Sequence, residues 1–104
     1  MKQLDSTLAA LADPTRRRVV DLLRDRPRRA GELASAVRTS GPAMSRHLRV
    51  LRASGLVEAE LLDEDARARV YRLRPERLRA LQRWLDTFWG TQLDAFKAHV
   101  ERGR

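Results

Sequence analysis

The chain has 104 residues, 42% hydrophobic and 35% charged, with a formal net charge of +8 and no cysteine. This composition bounds it to one small folded domain rather than a disordered chain. It excludes a disulfide framework and thiolate chemistry, and the excess of base favours a polyanionic partner, most often nucleic acid. No apolar run approaches the roughly 18 residues a membrane span needs. "MKQLDSTLAALADP" lacks the basic-then-apolar pattern of a secretory signal, so the expected location is cytoplasmic.

The first element is short: Leu4, Leu8 and Leu11 repeat at helical spacing in "LDSTLAAL". In "ADPTRRRVVDLLRDRP", Asp13 is a cap and Pro14 suits the first helical position. Val19, Val20, Leu22 and Leu23 form the apolar stripe, and Pro27 ends the helix. "GELASAV" reads as a third helix with Leu33, Ala34 and Val37 inward. Its start is poorly capped, because Arg29 and Ala30 stand where Ser or Thr is preferred. After the break "RTSG", Ser40 caps a fourth helix from Gly41 to about Ser54. Met44, Leu48 and Leu51 mark its inner face, and Gly55 sits where a left-handed terminator belongs. The period then changes to alternation. Val57, Ala59 and Leu61 share one side of "LVEAELL". "DEDA" (63–66) is turn-like, and "RARVYRL" (67–73) holds strand-favouring Val70 and Tyr71, so 57–73 is a β-hairpin. "PERLRALQRWLDTFWGTQLDAFKAHVE" (75–101) is a long helix whose apolar face runs from Leu78 to Val100. Gly90 within it costs about 1 kcal/mol against Ala and marks either a bend or a close helix approach.

Two short helices, a tight turn and a second amphipathic helix make a helix-turn-helix, whose second helix fits the DNA major groove. With Met44, Leu48 and Leu51 inward, Pro42, Arg46, Arg49 and Ala53 point outward at about 100° per residue. Ser45 and Ala43 lie at the two edges of that face. From Leu33 to Val57 there is no Asp or Glu. An acid there would repel phosphate, so the acid-free span says more than overall basicity does. Pro42, Ala43, Ser45 and Arg46, near the helix start, are the candidates for base edges, with Arg46 suited to a bidentate guanine contact. Ser40 and Arg49 are the candidates for phosphates. Arg67 and Arg69 at the hairpin are candidate wing contacts, opposed by Asp63, Glu64 and Asp65 at the tip.

"ALADPTRRRVVDLL", "GELASAV", "SGPAMSRHLRVLRASGLVEAE" and "RVYRLRPERL" together resemble the ArsR/SmtB-type family of bacterial winged-helix regulators. The resemblance covers nearly the whole chain. It implies a mainly α fold with a small β-hairpin, a winged helix-turn-helix of order α-α-α-α-β-β-α, homodimeric through its terminal helices. In domain terms it implies a single unit over 1–104, with the helix-turn-helix at about 31–54, the wing at about 57–73 and the dimerisation helix at about 75–101. It also implies a repressor acting on a palindromic operator, often that of its own gene. By position, the DNA-facing residues would be Ser40, Pro42, Ser45, Arg46, His47 and Arg49. Two departures stand out. Thr39 replaces a large apolar residue before the cap, and Arg29 replaces a Ser or Thr cap, which points to a slightly looser reading head. Metal sensors of this family use cysteine pairs on the third helix or Asp and His pairs on the last. This chain has no cysteine, and Asp94 and His99 are five apart and share no face well, so no metal and no cofactor is expected. "WLDTFWGTQLDAFKAHVE" is similar to the last helix of a branch without metal sites.

Four of the five aromatics, Trp84, Phe88, Trp89 and Phe96, lie on that last helix. A chain this small has too little surface elsewhere to cover them all, and a large exposed apolar patch marks an interface. The expected cover is the same helix of a second subunit, with Leu4, Leu8, Leu81 and Leu85 contributing. A C₂ dimer would offer two recognition helices to successive major grooves about 34–36 Å apart. An effector pocket among the aromatics is the other use of these side chains, and the sequence names no ligand for it. No nucleophile–base constellation or phosphate loop appears, so no enzyme is expected. The leading expectation is a regulator that binds double-stranded DNA as a homodimer, away from any membrane. The alternative is a winged-helix module for protein–protein or RNA contact, which would have no need of the acid-free outward face.

Overall fold

In the computed structural model of the chain, which describes residues 2–62 and 69–103 and only the backbone of 90–95, seven elements follow one another. These are α1 (Lys2–Leu11), α2 (Pro14–Asp25), α3 (Ala30–Val37), α4 (Gly41–Ala53), β1 (Val57–Leu61), β2 (Arg69–Leu73) and α5 (Glu76–Arg102). The expected order α-α-α-α-β-β-α is the observed one. The turn-like "DEDA" and Arg67 lie outside the described residues. Among the described residues no helix is long and apolar enough to cross a membrane.

Capping explains where the helices begin. The Asp13 carboxylate accepts from the Arg16 backbone N–H at 2.9 Å, with Pro14 next in the chain, so α2 starts sharply. The Ser40 hydroxyl accepts from the Ala43 N–H at 3.2 Å and starts α4 in the same way. Helix α3 is better anchored than its sequence suggests. The Glu32 carboxylate reaches back to accept from the Arg29 N–H at 3.4 Å, and Arg26 pairs with the same carboxylate at 3.1 Å. At its other end Arg38 adopts the left-handed conformation (φ 57°), and the Thr39 N–H donates to the Ala34 carbonyl at 3.0 Å. Non-glycine residues rarely take this conformation, which costs about 1–2 kcal/mol. These hydrogen bonds satisfy backbone groups at both ends of α3, although the Arg29 side chain itself makes no cap bond.

Helix α4 ends as expected. Gly55 has φ 80°, and the Leu56 N–H donates back to the Leu51 carbonyl at 3.1 Å. A Cβ at Gly55 would also stand 2.8 Å from Nε of Arg77, whose side chain from α5 covers this corner.

The hairpin is antiparallel with Val57 opposite Leu73, Ala59 opposite Tyr71 and Leu61 opposite Arg69. Val57 is buried, Ala59 half-buried and Leu61 exposed, because the strands run outward from the body. One feature has no periodic signal in sequence. Arg28, between α2 and α3, exchanges two backbone hydrogen bonds with Tyr71 (3.0 and 2.8 Å), adding a one-residue third strand beside β2. The core gathers under α4: Leu33, Met44, Leu48, Leu51 and Leu56 are almost wholly buried, with Val19 of α2 against them. That seat sets the orientation of α4.

Candidate nucleic-acid interface

Helix α4 carries its charge on one side. Met44, Leu48 and Leu51 are buried, while Pro42, Arg46, Arg49 and Ala53 are exposed. Ser40 and Ser45 are exposed beside them, and Ala43 is half-buried at the edge. Six of the sequence-derived candidates (Ser40, Pro42, Ala43, Ser45, Arg46, Arg49) are thus brought onto one surface. His47 departs from that set. It is half-buried and turned toward α2, with Nδ1 3.8 Å from the Asp13 carboxylate and 3.5 Å from Nη1 of Arg16. Arg69 is exposed at the outer end of β2, and Arg67 lies outside the described residues.

Several arginines away from this surface pair with acids: Arg24 with Asp21, Arg28 with Asp25, Arg26 with Glu32, Arg72 with Glu60, Arg74 with Glu58 and Glu76. Among the described residues, no such partner stands beside Arg38, Arg46, Arg49 or Arg52. Exposed pairs contribute little stability. Their consequence here is electrostatic: they offset the charge of Arg24, Arg26, Arg28, Arg72 and Arg74, while the α4 arginines keep theirs. Arg52 was not singled out in the sequence. It joins Arg49 along an open groove between α4 and β1, at whose far side Arg74 stands. The signal was present in the Arg46, Arg49, Arg52 spacing, whose steps of three drift from the outward face to its Ser45 edge.

The second surface is the exposed side of α5. Phe88 is 59% exposed, Trp89 41% and Phe96 67%, and Leu8 of α1 is 41% exposed. Leu4, Leu81, Trp84 and Leu85 are half-buried within the chain, where α1 meets α5. Trp84 and Phe88 pack edge to face at 4.9 Å. Helix α5 continues through Gly90 without a break. The Asp94 side chain lies outside the described residues. Among the described ones no three His, Asp or Glu side chains gather as metal ligands.

Comparison with known proteins agrees with this arrangement. A helix-turn-helix domain family matches residues 11–60. The chain is 43% identical to the HTH-type transcriptional regulator Rv2034 of Mycobacterium tuberculosis, over 93% of this chain and 88% of that one. It superposes on an ArsR-like transcriptional regulator from Rhodococcus sp. RHA1 with TM-score 0.76 and 31% identity, over 97% and 93% of the two chains. The chain belongs to the ArsR/SmtB-type family of winged helix-turn-helix transcriptional regulators. A third relative, Mb0332 from Mycobacterium bovis, is described as a homodimeric winged helix-turn-helix DNA-binding domain. It has TM-score 0.66 and 26% identity, over 90% of this chain and 84% of that one. In fold, the helices and the β1–β2 hairpin of this chain match this winged helix-turn-helix architecture. The family is one of DNA-binding regulators, not of enzymes.

Proposed function

We propose that the chain acts as one winged-helix unit, a homodimeric, sequence-specific repressor that binds a palindromic operator in the cytoplasm. The observation that carries this reading is the exposed side of α4, where Arg46, Arg49 and, toward its edge, Arg52 have no salt-bridge partner among the described residues, in a span free of Asp and Glu from Leu33 to Val57. An interaction helix for protein partners has no need of that one-signed face. Arg46, near the helix start, reads a base edge with the help of Pro42, Ala43 and Ser45. Ser40, Arg49 and Arg52 hold phosphates, and Arg69 reaches the flanking backbone. Two copies join through Phe88, Trp89 and Phe96 of α5, with Leu8 of α1 alongside, and so repeat the reading helix with two-fold symmetry. A bound dimer represses by covering its site against polymerase.

Selection from a pool of random duplexes tests this. The expected result is enrichment of an inverted repeat with half-sites about 10–10.5 bp apart, or a multiple of that. Equal retention of all sequences, with affinity set by salt alone, would contradict a specific regulator.

A further inference from the structure

The polar cluster between α1, α2 and α4 has no part in the functional reading so far. The Arg16 guanidinium donates from Nε to the Ala10 carbonyl (2.7 Å) and from Nη2 to the Ala9 carbonyl (3.2 Å). These are carbonyls of the last turn of α1, of which that of Ala9 also accepts from the Ala12 N–H at 3.3 Å. Its remaining Nη1 points at Nδ1 of His47 on α4, at 3.5 Å. Asp13 closes the ring, accepting from the Arg16 backbone N–H and standing 3.8 Å from the same His47 nitrogen. Beside this cluster α1 and the C-terminal half of α4 are separated by an open groove of about 290 Å³, lined by Ala9, Ala10, Arg16, Val50 and Ala53 among others. Along that stretch the helices do not close on each other, and Arg16 spans the gap.

We infer that Arg16 is a positioning residue for DNA binding: it clamps the last turn of α1 to His47 and so holds α4 at the rotation that aims Arg46 outward. His47 is the residue next to Arg46, and its anchorage adds to the buried seat of Met44, Leu48 and Leu51 in holding the roll of the helix about its own axis. At a side-chain radius of about 5–6 Å, a roll of about 20° moves a contacting atom by about 2 Å. That exceeds the tolerance of a hydrogen bond. Because α1 belongs to the proposed dimer surface, the same clamp ties the attitude of each reading helix to subunit association. This inference rests on the DNA-binding reading.

The test uses Arg16→Gln, His47→Leu, their double variant, and His47→Asn, whose side-chain amide can donate or accept in place of Nδ1. Binding is measured on the duplex that the wild-type chain selects from a random pool. In parallel, spin labels on Gln3→Cys and Arg52→Cys report the α1–α4 distance, which the cysteine-free background allows. Unlabelled chain in excess keeps the reading within one subunit. Arg16→Gln and His47→Leu are each expected to weaken binding about tenfold, with the double variant no weaker than either single. Both should broaden the distance distribution, while His47→Asn keeps wild-type affinity and distances. Should Arg16→Gln unfold, His47→Leu cuts the same link from the other side. Additive losses, a His47→Asn variant as weak as His47→Leu, or an unchanged distance distribution would overturn the clamp. If the wild-type chain selects no duplex, the DNA reading fails, and the distances alone decide the clamp: broadening in both variants supports it and no change ends it.

Discussion

The α4 face and the α5 face are both amphipathic, yet they are completed in opposite ways. On α4 every large apolar side chain except Val50 is buried, the start is capped by Ser40, the end by Gly55, and what remains outside is cationic. On α5 the outside is Phe88, Trp89 and Phe96, which the rest of the chain leaves uncovered. A cationic face in water is stable as it stands and gains from a polyanion. An aromatic face gains from removal from water, about 25 cal/mol for each Å² of apolar surface buried. The two faces therefore suit the two partners proposed for them: phosphate and base edges for one, a second copy of the chain for the other.

The strongest way to break this comparison is to spoil the α5 face alone. Phe88→Glu with Phe96→Glu should leave the fold of each chain intact, since both side chains are exposed, and yield monomers by light scattering. Affinity for a palindromic duplex should fall by about a hundredfold or more, because the second half-site is no longer bound in the same event. A dimer of unchanged mass would remove α5 from the interface. Next in size is the seat of α4. Leu48→Ala should lower unfolding stability by about 2–5 kcal/mol in urea titrations.

Two outward arginines allow a finer cut. Arg46→Ala should cost about 1–3 kcal/mol on the selected duplex and relax preference at one position per half-site. Arg49→Ala should weaken all duplexes alike and flatten the salt dependence by about one ion per subunit. Equal losses for Arg46→Ala on selected and random DNA would reduce it to a phosphate contact. The smallest expected effect is at Asp13. The hydrogen bond from the Arg16 backbone N–H, helped by the charges of His47 and Arg16, holds its carboxyl below the ordinary value of 3.8. A folded-state pKa below the unfolded one means its contribution is complete at neutral pH and is lost as pH falls from about 4 through the lower value. Asp13→Asn keeps a good cap and should remove this acid-sensitive part. Asp13→Ala should cost about 1 kcal/mol at pH 7. Urea midpoints at pH 7 and pH 3 separate the two variants.

The α4 face was legible because all its determinants are local. The period of Met44, Leu48 and Leu51, the Ser40 cap and Gly55 lie within seventeen residues. The exposed aromatics of α5 were legible as an excess over what one small chain can cover. What was not legible depends on residues distant in sequence or on conformations their type disfavours. The Arg28–Tyr71 bridge joins residues 43 apart with no periodic pattern. Arg16 meets His47 across 31 residues, and so His47 turned from the outward face that the family resemblance implied. Arg38 takes a left-handed conformation that an arginine does not advertise. Glu32 substitutes for the missing cap of α3 from inside the helix.

The central claim is that two α4 helices, held by a shared α5 face, read one duplex together. Hydroxyl-radical footprinting of the selected duplex, with wild type and the Phe88→Glu, Phe96→Glu variant side by side, tests it most directly. The account predicts two protected patches for wild type, centred about 10–10.5 bp or a multiple apart, and loss of both with the variant at the same concentration. A single protected patch for wild type, or an unchanged two-patch footprint from a monomeric variant, would contradict it.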